Sequence, residues 1–391
     1  MRAEVLKGSR GMTNIPWQGR AADLAARATD PDSRWRNPVA GIPRHELVPR
    51  WWEPVEDGTW QLQVGEANPD LWLQQAYGNE SLVTSVGGLH ADHAKPDDRP
   101  TGLPTSSATL TPLVVKMLRH GRIAAEHDLL DIGTGAGGLT AIAATRLGSD
   151  RVTSVDIDGY LVDAARDRLA GMGLGPRFVT QDATDALPGD YDRIVATVSA
   201  RPVPVPWLQA LRPGGRLVTT IADTALILTA WKTPDGGATG VIERDWAGFM
   251  TTRHGSAYPP GSDELFETAR EAEGEDVKLF RYPVADIRNN WEVWSMLTIN
   301  IPGIEVDFEE TPEGRTAWLA HPDGSWARAE ATKFEPPTVH QSGPRRLWSE
   351  LESIRNWREV EGGLPLYGCR AVVTPDGAIH LSRGRWSAAI G

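Results

Sequence analysis

The stretch Asp128-Leu-Leu-Asp-Ile-Gly-Thr-Gly-Ala-Gly-Gly-Leu139 decides the fold of this chain. Its apolar start, residues 129–132, is typical of a short buried strand, and the glycines that follow are typical of a tight loop that opens a helix. Gly133, Gly135 and Gly137 leave room for a ligand against the backbone, and the start of a helix offers N–H groups without intrahelical partners. The pattern predicts a strand–loop–helix unit that binds a ligand. A tight turn without a ligand is the alternative explanation of the glycines alone.

The segments after this loop indicate a parallel sheet. A second predicted strand, 151–157, ends on Asp156, about 20 residues past the glycines, where an acid can accept hydrogen bonds from both ribose hydroxyls of an adenosine. Further strands are predicted at 177–180 and 191–196, and the turn at 211–218 leads into a fifth. Because predicted helices alternate with these strands, we expect a doubly wound sheet whose ligand binds beyond the carboxyl ends of the strands.

The composition is that of a soluble globular protein and argues against several kinds of site. The 391 residues allow two or three domains, with 40% apolar and 24% charged residues. The formal charge of −12 argues against a large nucleic-acid groove. The single cysteine, Cys369, excludes an intrachain disulfide and a cysteine-based metal site, and it fits a reducing cytoplasm. No apolar run approaches the roughly 20 residues that span a bilayer, so we expect a cytoplasmic protein that binds neither membrane nor nucleic acid.

The glycine run 131–137, Asp-Ile-Gly-Thr-Gly-Ala-Gly, resembles the S-adenosylmethionine loop of class I methyltransferases. The resemblance implies an α/β, Rossmann-like doubly wound fold with S-adenosyl-L-methionine as cofactor. It also implies that Asp131 lies near the ammonium group of the methionine moiety, and that Asp182 lies at the adenine amino group. The residues that we expect at the cofactor are Asp131, Ile132, Gly133, Thr134, Gly135, Gly137, Asp156, Ile157, Gln181, Asp182 and Ala183.

A second run, Ile42-Pro-Arg-His-Glu-Leu-Val-Pro49, resembles the Pro-Arg-His-x-x-x-Pro signature of protein L-isoaspartyl (D-aspartyl) O-methyltransferases. The segments 75–77 and 106–112 fall where that family has a tyrosine-containing strand and a substrate-binding serine before a proline-led helix. Residues 198–204 resemble the loop after its fourth strand. The resemblance covers about residues 40–222.

The resemblance implies esterification of a carboxylate, which is ionised at pH 7 and therefore needs no general base. Hydroxyl donors that hold one carboxylate oxygen suffice to align the other with the methyl group. The candidate catalytic residues are Ser106, Ser107, Thr109, Thr111, His45 and Tyr77. The position of the family serine holds Leu110, so the hydroxyl that replaces it stays open. A helix cap at Thr111 and a structural His45 are the alternatives, and His90 and His93 lack further ligands for a metal.

Composition divides the chain into three predicted regions. These are an N-terminal cap at 1–104, a cofactor-binding domain at 105–254 and a smaller, tryptophan-rich α+β domain at 255–391 that recognises peptide. We expect a strand at 292–301 and a helix at 347–359. The arginines of the first region form either a solvated face or a groove for an acidic peptide. They are Arg20, Arg27, Arg34, Arg36, Arg44 and Arg50.

The C-terminal extension is absent from compact repair enzymes. A long chain of this kind resembles the homologues that accompany ATP-grasp (graspetide) ligases and lanthipeptide synthetases in ribosomal peptide maturation. Resemblance to the ATP-grasp branch implies methylation of an aspartate side chain in a modified precursor peptide, after which the next backbone amide attacks the ester and forms an aspartimide. The expected partners are that peptide and an ATP-grasp ligase. General isoaspartyl repair and a non-catalytic peptide-binding adaptor are the alternative functions.

Overall fold

The computed structural model describes residues 16–252 and 263–391. The predicted boundary between residues 254 and 255 lies outside the described residues, as do the first 15 residues of the predicted cap. The division into three regions therefore stays a prediction. Among the helices of the two described ranges, none has the length and apolar character that a membrane span requires.

The N-terminal region combines short helices with a small antiparallel sheet. Its helices are α1 (Gln18–Ala28), α2 (Arg36–Ala40), α3 (Arg44–Leu47) and α4 (Pro69–Ala76). Its strands are β1 (Arg50–Pro54), β2 (Trp60–Val64), β3 (Leu82–Val86), β4 (Leu89–His90) and β5 (Pro104–Ala108). The strand expected around Tyr77 is wrong, because Tyr77 follows the last residue of α4. That helix has a strong start, since the Asn68 side chain accepts from the Leu71 N–H and Pro69 opens the first turn.

The central region has the predicted alternation of strands and helices. Its strands are β6 (Leu129–Ile132), β7 (Val152–Asp156), β8 (Arg177–Thr180), β9 (Tyr191–Ala200), β10 (Leu211–Ile221), β11 (Leu226–Lys232) and β12 (Ala238–Trp246). Its helices are α5 (Thr111–His120), α6 (Gly138–Leu147), α7 (Gly159–Gly171) and α8 (Val205–Ala210). The order β8–β7–β6–β9–β10 is parallel, and β11 and β12 add antiparallel strands. The predicted doubly wound sheet is confirmed, with its carboxyl ends on the side of the glycine loop.

The C-terminal region contains a second antiparallel sheet and three helices. Its helices are α9 (Asp263–Glu271), α10 (Trp291–Asn300) and α11 (Leu347–Glu361). Its strands are β13 (Asp276–Leu279), β14 (Glu305–Glu310), β15 (Arg315–Ala320), β16 (Trp326–Ala331), β17 (Thr338–Ser342), β18 (Arg370–Val373), β19 (Ile379–Arg383) and β20 (Trp386–Ile390). The strand expected at 292–301 is wrong, because this segment is α10, capped by the Asn290 side chain on the Val293 N–H.

The last three strands do not belong to the C-terminal sheet. β18 pairs antiparallel with β12, and β19 and β20 continue the central sheet to ten strands. The expectation of a self-contained small domain at the C-terminus is therefore corrected by this pairing. Its physical reason is the edge of β12, whose backbone groups need partners and whose apolar neighbours need cover. Leu228 of β11 and Leu381 of β19 are buried in one cluster.

Candidate active site

A cavity of about 680 Å³ lies beyond the carboxyl ends of the central strands. The glycine loop and the tips of β7 and β9 form one side, and β5 with the start of α5 forms the other. This is the position that the sheet topology predicts for a ligand.

The three predicted loop glycines all have positive φ angles, of 94° at Gly133, 50° at Gly135 and 83° at Gly137. A Cβ atom at Gly133 would lie 2.9 Å from a methyl carbon of Val198. A Cβ atom at Gly135 would lie 3.3 Å from the Ser107 carbonyl oxygen. The loop therefore needs glycine both for its backbone angles and for its close approach to β5.

Asp156 at the tip of β7 is held against this loop. One of its carboxylate oxygens accepts from the Gly135 N–H at 3.1 Å, and the other accepts from the Asp158 N–H at 3.1 Å. Asp156 and Ile157 both line the cavity. The carboxylate is thus fixed by backbone donors at the point where a ribose is expected.

Asp131 lies beneath the loop and does not line the cavity. It is fully buried, and one of its oxygens accepts from the hydroxyl groups of Thr140 and, at 3.2 Å, of Ser154. The other oxygen has no hydrogen-bond partner within the described ranges. Burial raises the pKa of Asp131 to about 7, although both hydroxyl donors oppose this shift. Thr134 lines the cavity and bonds to Ser154 at 2.7 Å, so these polar side chains connect Asp131 to the loop.

The segment after β8 provides a third cavity wall. Asp182 accepts from both the N–H (2.8 Å) and the hydroxyl group (2.6 Å) of Thr184, which makes a closed turn. Asp182, Ala183 and Thr184 line the cavity, whereas Gln181 does not and instead donates to the Ala186 carbonyl. Sequence reasoning missed Thr184, although hydroxyl residues two positions after an aspartate commonly close such turns.

The hydroxyl groups of β5 and of the residues that follow it differ in their surroundings, and within β5 the side chains of Ser106 and Ser107 point to opposite faces. Ser106 is buried and accepts from the Thr84 hydroxyl at 3.0 Å. Ser107 and Thr109 are partly exposed, and neither has a side-chain hydrogen bond within residues 16–252 and 263–391. Thr111 is buried at the start of α5, and all four residues line the cavity. The structure therefore favours Ser107 and Thr109 as the hydroxyls available to a ligand.

Arg44 is a cavity residue that sequence reasoning placed only among the N-terminal arginines. Its buried guanidinium donates to the backbone carbonyls of Ala76, Glu80, Ala108 and Thr109, which clamps the end of β5. Within the described part of the chain no carboxylate pairs with it. Burial lowers the pKa of Arg44 to about 10, so the side chain remains a cation at pH 7. The Pro-Arg-His run was the available signal.

His45 and Tyr77 lie together but not in the cavity. The His45 Nδ1 atom is 2.9 Å from the Tyr77 hydroxyl, and the imidazole packs edge-on against Trp72. Neither residue lines the cavity. Burial lowers the pKa of His45 to about 4, so the ring is neutral at pH 7. The geometry matches the structural alternative for His45, and a catalytic role for either residue gains no support from it.

The histidine pair considered for a metal is used in packing. The rings of His90 and His93 lie 4.9 Å and 4.0 Å from the ring of Tyr160. Over the two described ranges, no group of three or more His, Cys, Asp or Glu residues is arranged to hold a metal ion.

Two tryptophans stand at the mouth of the cavity. Trp246, at the end of β12, and Trp291, at the start of α10, are stacked with ring centroids 4.6 Å apart and planes 20° apart. Both line the cavity, and Trp246 is 51% exposed. The C-terminal region therefore contributes directly to the site.

Comparison with known families agrees with this geometry. Residues 99–239 match the family model "Protein-L-isoaspartate(D-aspartate) O-methyltransferase (PCMT)". Among curated proteins, the protein-L-isoaspartate O-methyltransferase of Thermococcus onnurineus is 33% identical over 129 residues, which cover 32% of this chain and 58% of that protein. The ribosomal protein L11 methyltransferase of Pelobacter propionicus is 45% identical over 95 residues, which cover 23% of this chain and 30% of that protein. The chain thus matches little more than half the length of the isoaspartate relative.

Two solved structures are also similar. A protein-L-isoaspartate O-methyltransferase aligns with 96% of this chain and 99% of its own, at 15% identity and a TM-score of 0.46. One from Plasmodium falciparum, in complex with S-adenosyl-L-homocysteine, aligns with 60% of this chain and 97% of its own, at 13% identity and a TM-score of 0.42. Residues 99–239 of this chain are thus similar to the protein-L-isoaspartate O-methyltransferase family.

Proposed function

We propose that this chain is an S-adenosyl-L-methionine-dependent O-methyltransferase that esterifies an aspartate-type carboxylate in a peptide or protein. The observation that carries the proposal is the contact between β5 and the glycine loop, where the Ser107 carbonyl lies within 3.3 Å of a Cβ placed at Gly135. Methyl transfer requires donor and acceptor atoms about 3–3.5 Å apart. A strand with available hydroxyls beside a cofactor loop supports that arrangement.

The cavity residues fit this cofactor. Asp156 would hold the ribose, Asp182 the adenine edge and the loop at Gly133 and Gly135 the methionine part, while Asp131 keeps an unpartnered buried oxygen beneath the loop. The cofactor supplies an electrophilic methyl group on a sulfonium. Positive charge at that sulfur is compatible with the Asp156 carboxylate, which lines the cavity.

The acceptor side needs placement and not proton transfer. The substrate carboxylate is ionised at pH 7, and one of its oxygens forms the new bond to the methyl carbon while the carbon–sulfur bond breaks and its electron pair stays on sulfur. Ser107 and Thr109 can donate to the other carboxylate oxygen, and the Arg44 cation adds a favourable field. His45 lies outside the cavity with its Nδ1 atom bonded to Tyr77, which is consistent with a reaction that uses no base.

Two substrates of this class remain in competition, and each has a supporting observation. A modified precursor peptide, cyclised by an ATP-grasp ligase, is supported by the Trp246–Trp291 pair, because both residues line the cavity but lie outside the matched region 99–239. In that case the amide nitrogen after the methylated aspartate attacks the ester carbonyl, methanol leaves and an aspartimide forms. General isoaspartyl repair is supported by the family match itself.

The test compares two peptides under the same conditions. Enzyme and cofactor are incubated with an ester-cyclised aspartate peptide and with a linear isoaspartyl peptide, and products are followed by mass spectrometry. Gain of one methyl group and later loss of methanol on the cyclised peptide support the first substrate, whereas turnover of the linear peptide alone supports repair. Asp156→Ala is the control, since it removes the proposed ribose contact. Binding of both peptides without any methylation would support the non-catalytic adaptor function and overturn the proposal.

A further inference from the structure

A second cleft, of about 360 Å³, lies apart from the active-site cavity and is positively charged. Four arginines line it around Trp35, and they are Arg34, Arg119, Arg122 and Arg146. This clustering contrasts with the formal charge of −12 on the whole chain. We refer to these four side chains and Trp35 as the arginine cleft.

Two of the four arginines have partners inside the protein. The Arg146 guanidinium lies 4.1 Å above the Trp35 ring and donates to the Ile123 carbonyl at 2.9 Å. Arg119 pairs with Asp30 at 3.4 Å in an exposed ion pair. Within the described ranges, the exposed side chains of Arg34 and Arg122 have neither an ion pair nor a hydrogen bond. The positive charge of the cleft is therefore only partly balanced.

Two of the four arginines are explained by their positions at the ends of helices. Arg119 and Arg146 lie in the last turns of α5 and α6, where cations are favoured by the helix dipole. Arg34 lies in a turn before α2, and Arg122 follows α5 with a φ angle of 48°, a conformation that glycine or asparagine adopts more readily. The backbone gives no reason for arginine at these two positions.

The same two helices connect the arginine cleft to the active-site cavity. α5 has Thr111 in the cavity and Arg119 in the cleft, and α6 has Gly138 in the cavity and Arg146 in the cleft. Each pair is eight residues apart, which corresponds to about 12 Å along a helix. An extended peptide needs at least about four residues to cover that distance.

We propose that the arginine cleft binds acidic side chains of the peptide substrate, at least about four residues away from the carboxylate that is methylated. The inference rests on the proposed function, since the acidic segment belongs to the substrate of that reaction. Guanidinium groups bind carboxylates through paired hydrogen bonds. Because charges are screened over about 8 Å at physiological ionic strength, the local cluster acts on such a segment although the whole chain is acidic. A long phosphate backbone is less favoured, since the chain as a whole carries a formal charge of −12.

The probe for this inference is fluorescein-labelled hexaglutamate, and its binding is measured by fluorescence anisotropy in 50 mM and 200 mM salt (concentrations of about these values span the screening range). The test variant is Arg34→Gln/Arg122→Gln. Arg370→Gln/Arg385→Gln is the matched control, because it also removes two exposed arginines but neither lines the cleft. Thermal melting checks that all three proteins are folded.

We expect wild type and control to bind hexaglutamate alike, and the test variant to bind about tenfold more weakly, with the difference shrinking at high salt. No binding by wild type, or equal binding by the test variant, would overturn the inference. Displacement of the probe by a uridine hexanucleotide at lower concentration than by unlabelled hexaglutamate would also overturn it, in favour of a phosphate ligand. Methylation is not part of this readout, so a protein that binds the probe but transfers no methyl group would refute the proposed function and leave the acidic-segment site in place.

Discussion

Ser107 and Thr109 differ from Ser106 in what their hydroxyl groups contact, and this difference separates catalysis from stability at the residue scale. We expect Ser107→Ala/Thr109→Val to lower kcat by about 10- to 100-fold, because donors to the second carboxylate oxygen are lost. The affinity for the cofactor should not change. Ser106→Ala should instead lower stability by about 1 kcal/mol, since it removes the acceptor of the Thr84 hydroxyl. Steady-state methylation assays and urea unfolding distinguish these results, and a larger kcat loss in Ser106→Ala would contradict the assignment.

Asp131 should make stability depend on pH. Its pKa is about 7 in the folded protein and 3.8 is its ordinary value, so the unfolded chain releases this proton first as pH rises. The folded state therefore loses stability relative to Asp131→Asn as pH rises from about 4 to 7, by about 1.4 kcal/mol per pH unit at most. Urea unfolding of both proteins at pH 5 and pH 8 measures the change. A stability difference that stays constant between these pH values would show that Asp131 is already ionised at pH 5.

Arg44 and His45 show why part of the site was missed. The Pro-Arg-His run was expected near the site, but its adjacent residues Arg44 and His45 on the short helix α3 point in different directions. Arg44 faces the cavity and His45 faces Trp72, and only the packing of α3 against α4 decides between them. Sequence distinguishes residue types, whereas the orientation of a four-residue helix depends on contacts with distant segments.

The glycine loop is the element on which both halves of the cavity depend. We expect Gly135→Ala to weaken binding of S-adenosyl-L-homocysteine by at least about tenfold, because alanine is strained at a φ of 50° and its Cβ would press on the Ser107 carbonyl. Gly171→Ala is the control, since no atom lies within 4 Å of its added Cβ and it lies in helix α7, outside the cavity lining. Isothermal titration calorimetry should show binding by Gly171→Ala within about twofold of wild type. Equal losses in both variants would contradict the role of the Gly135 backbone in cofactor binding.

Whether a segment forms a helix or a strand could be predicted where one of its faces is exposed, but not where both of its faces are buried. Helix α11 was predicted because its apolar residues recur at helical spacing. In α10, by contrast, the five consecutive residues from Ser295 to Ile299 are all buried, so the sequence has no polar face from which a period can be read. The cap at Asn290 was the remaining signal for a helix in this segment.

At the scale of the whole molecule, the sequence predicted the parallel strands correctly but not the attachment of the C-terminus. The order of the strands around β6 follows from local motifs and from the rules for crossover connections. The pairing of β18 with β12 joins residues more than a hundred positions apart, for example Val241 and Arg370. No local pattern encodes that contact, because the edge of β12 and the edge strands β13 and β14 of the C-terminal sheet are all available to an added strand.

This pairing leads to a prediction about truncation. A chain that ends at residue 252 would expose the edge of β12 and the apolar surface covered by the C-terminal strands. The side chains lost from the shared core include Leu366, Val373, Ile379, Leu381 and Ile390, each buried to within a few per cent. Each buried side chain of this size contributes about 1.5–3 kcal/mol, against a typical total stability of about 5–15 kcal/mol. We therefore expect the truncated chain to aggregate or remain unfolded, as judged by circular dichroism and size-exclusion chromatography.

The full-length variant Trp291→Ala is the matched comparison, because it removes the part of the C-terminal region that lines the cavity while β18–β20 stay paired. We expect it to fold, with a melting temperature within a few degrees (about 2–4 °C per kcal/mol for a chain of this size), and to raise KM for a cyclised peptide more than for a linear isoaspartyl peptide. A truncated chain that folds and methylates the linear peptide would contradict the shared core and would instead favour a repair enzyme with a dispensable C-terminal region. The truncated chain thus tests the structural role of the C-terminal region, whereas Trp291→Ala tests the role of the same region in substrate recognition.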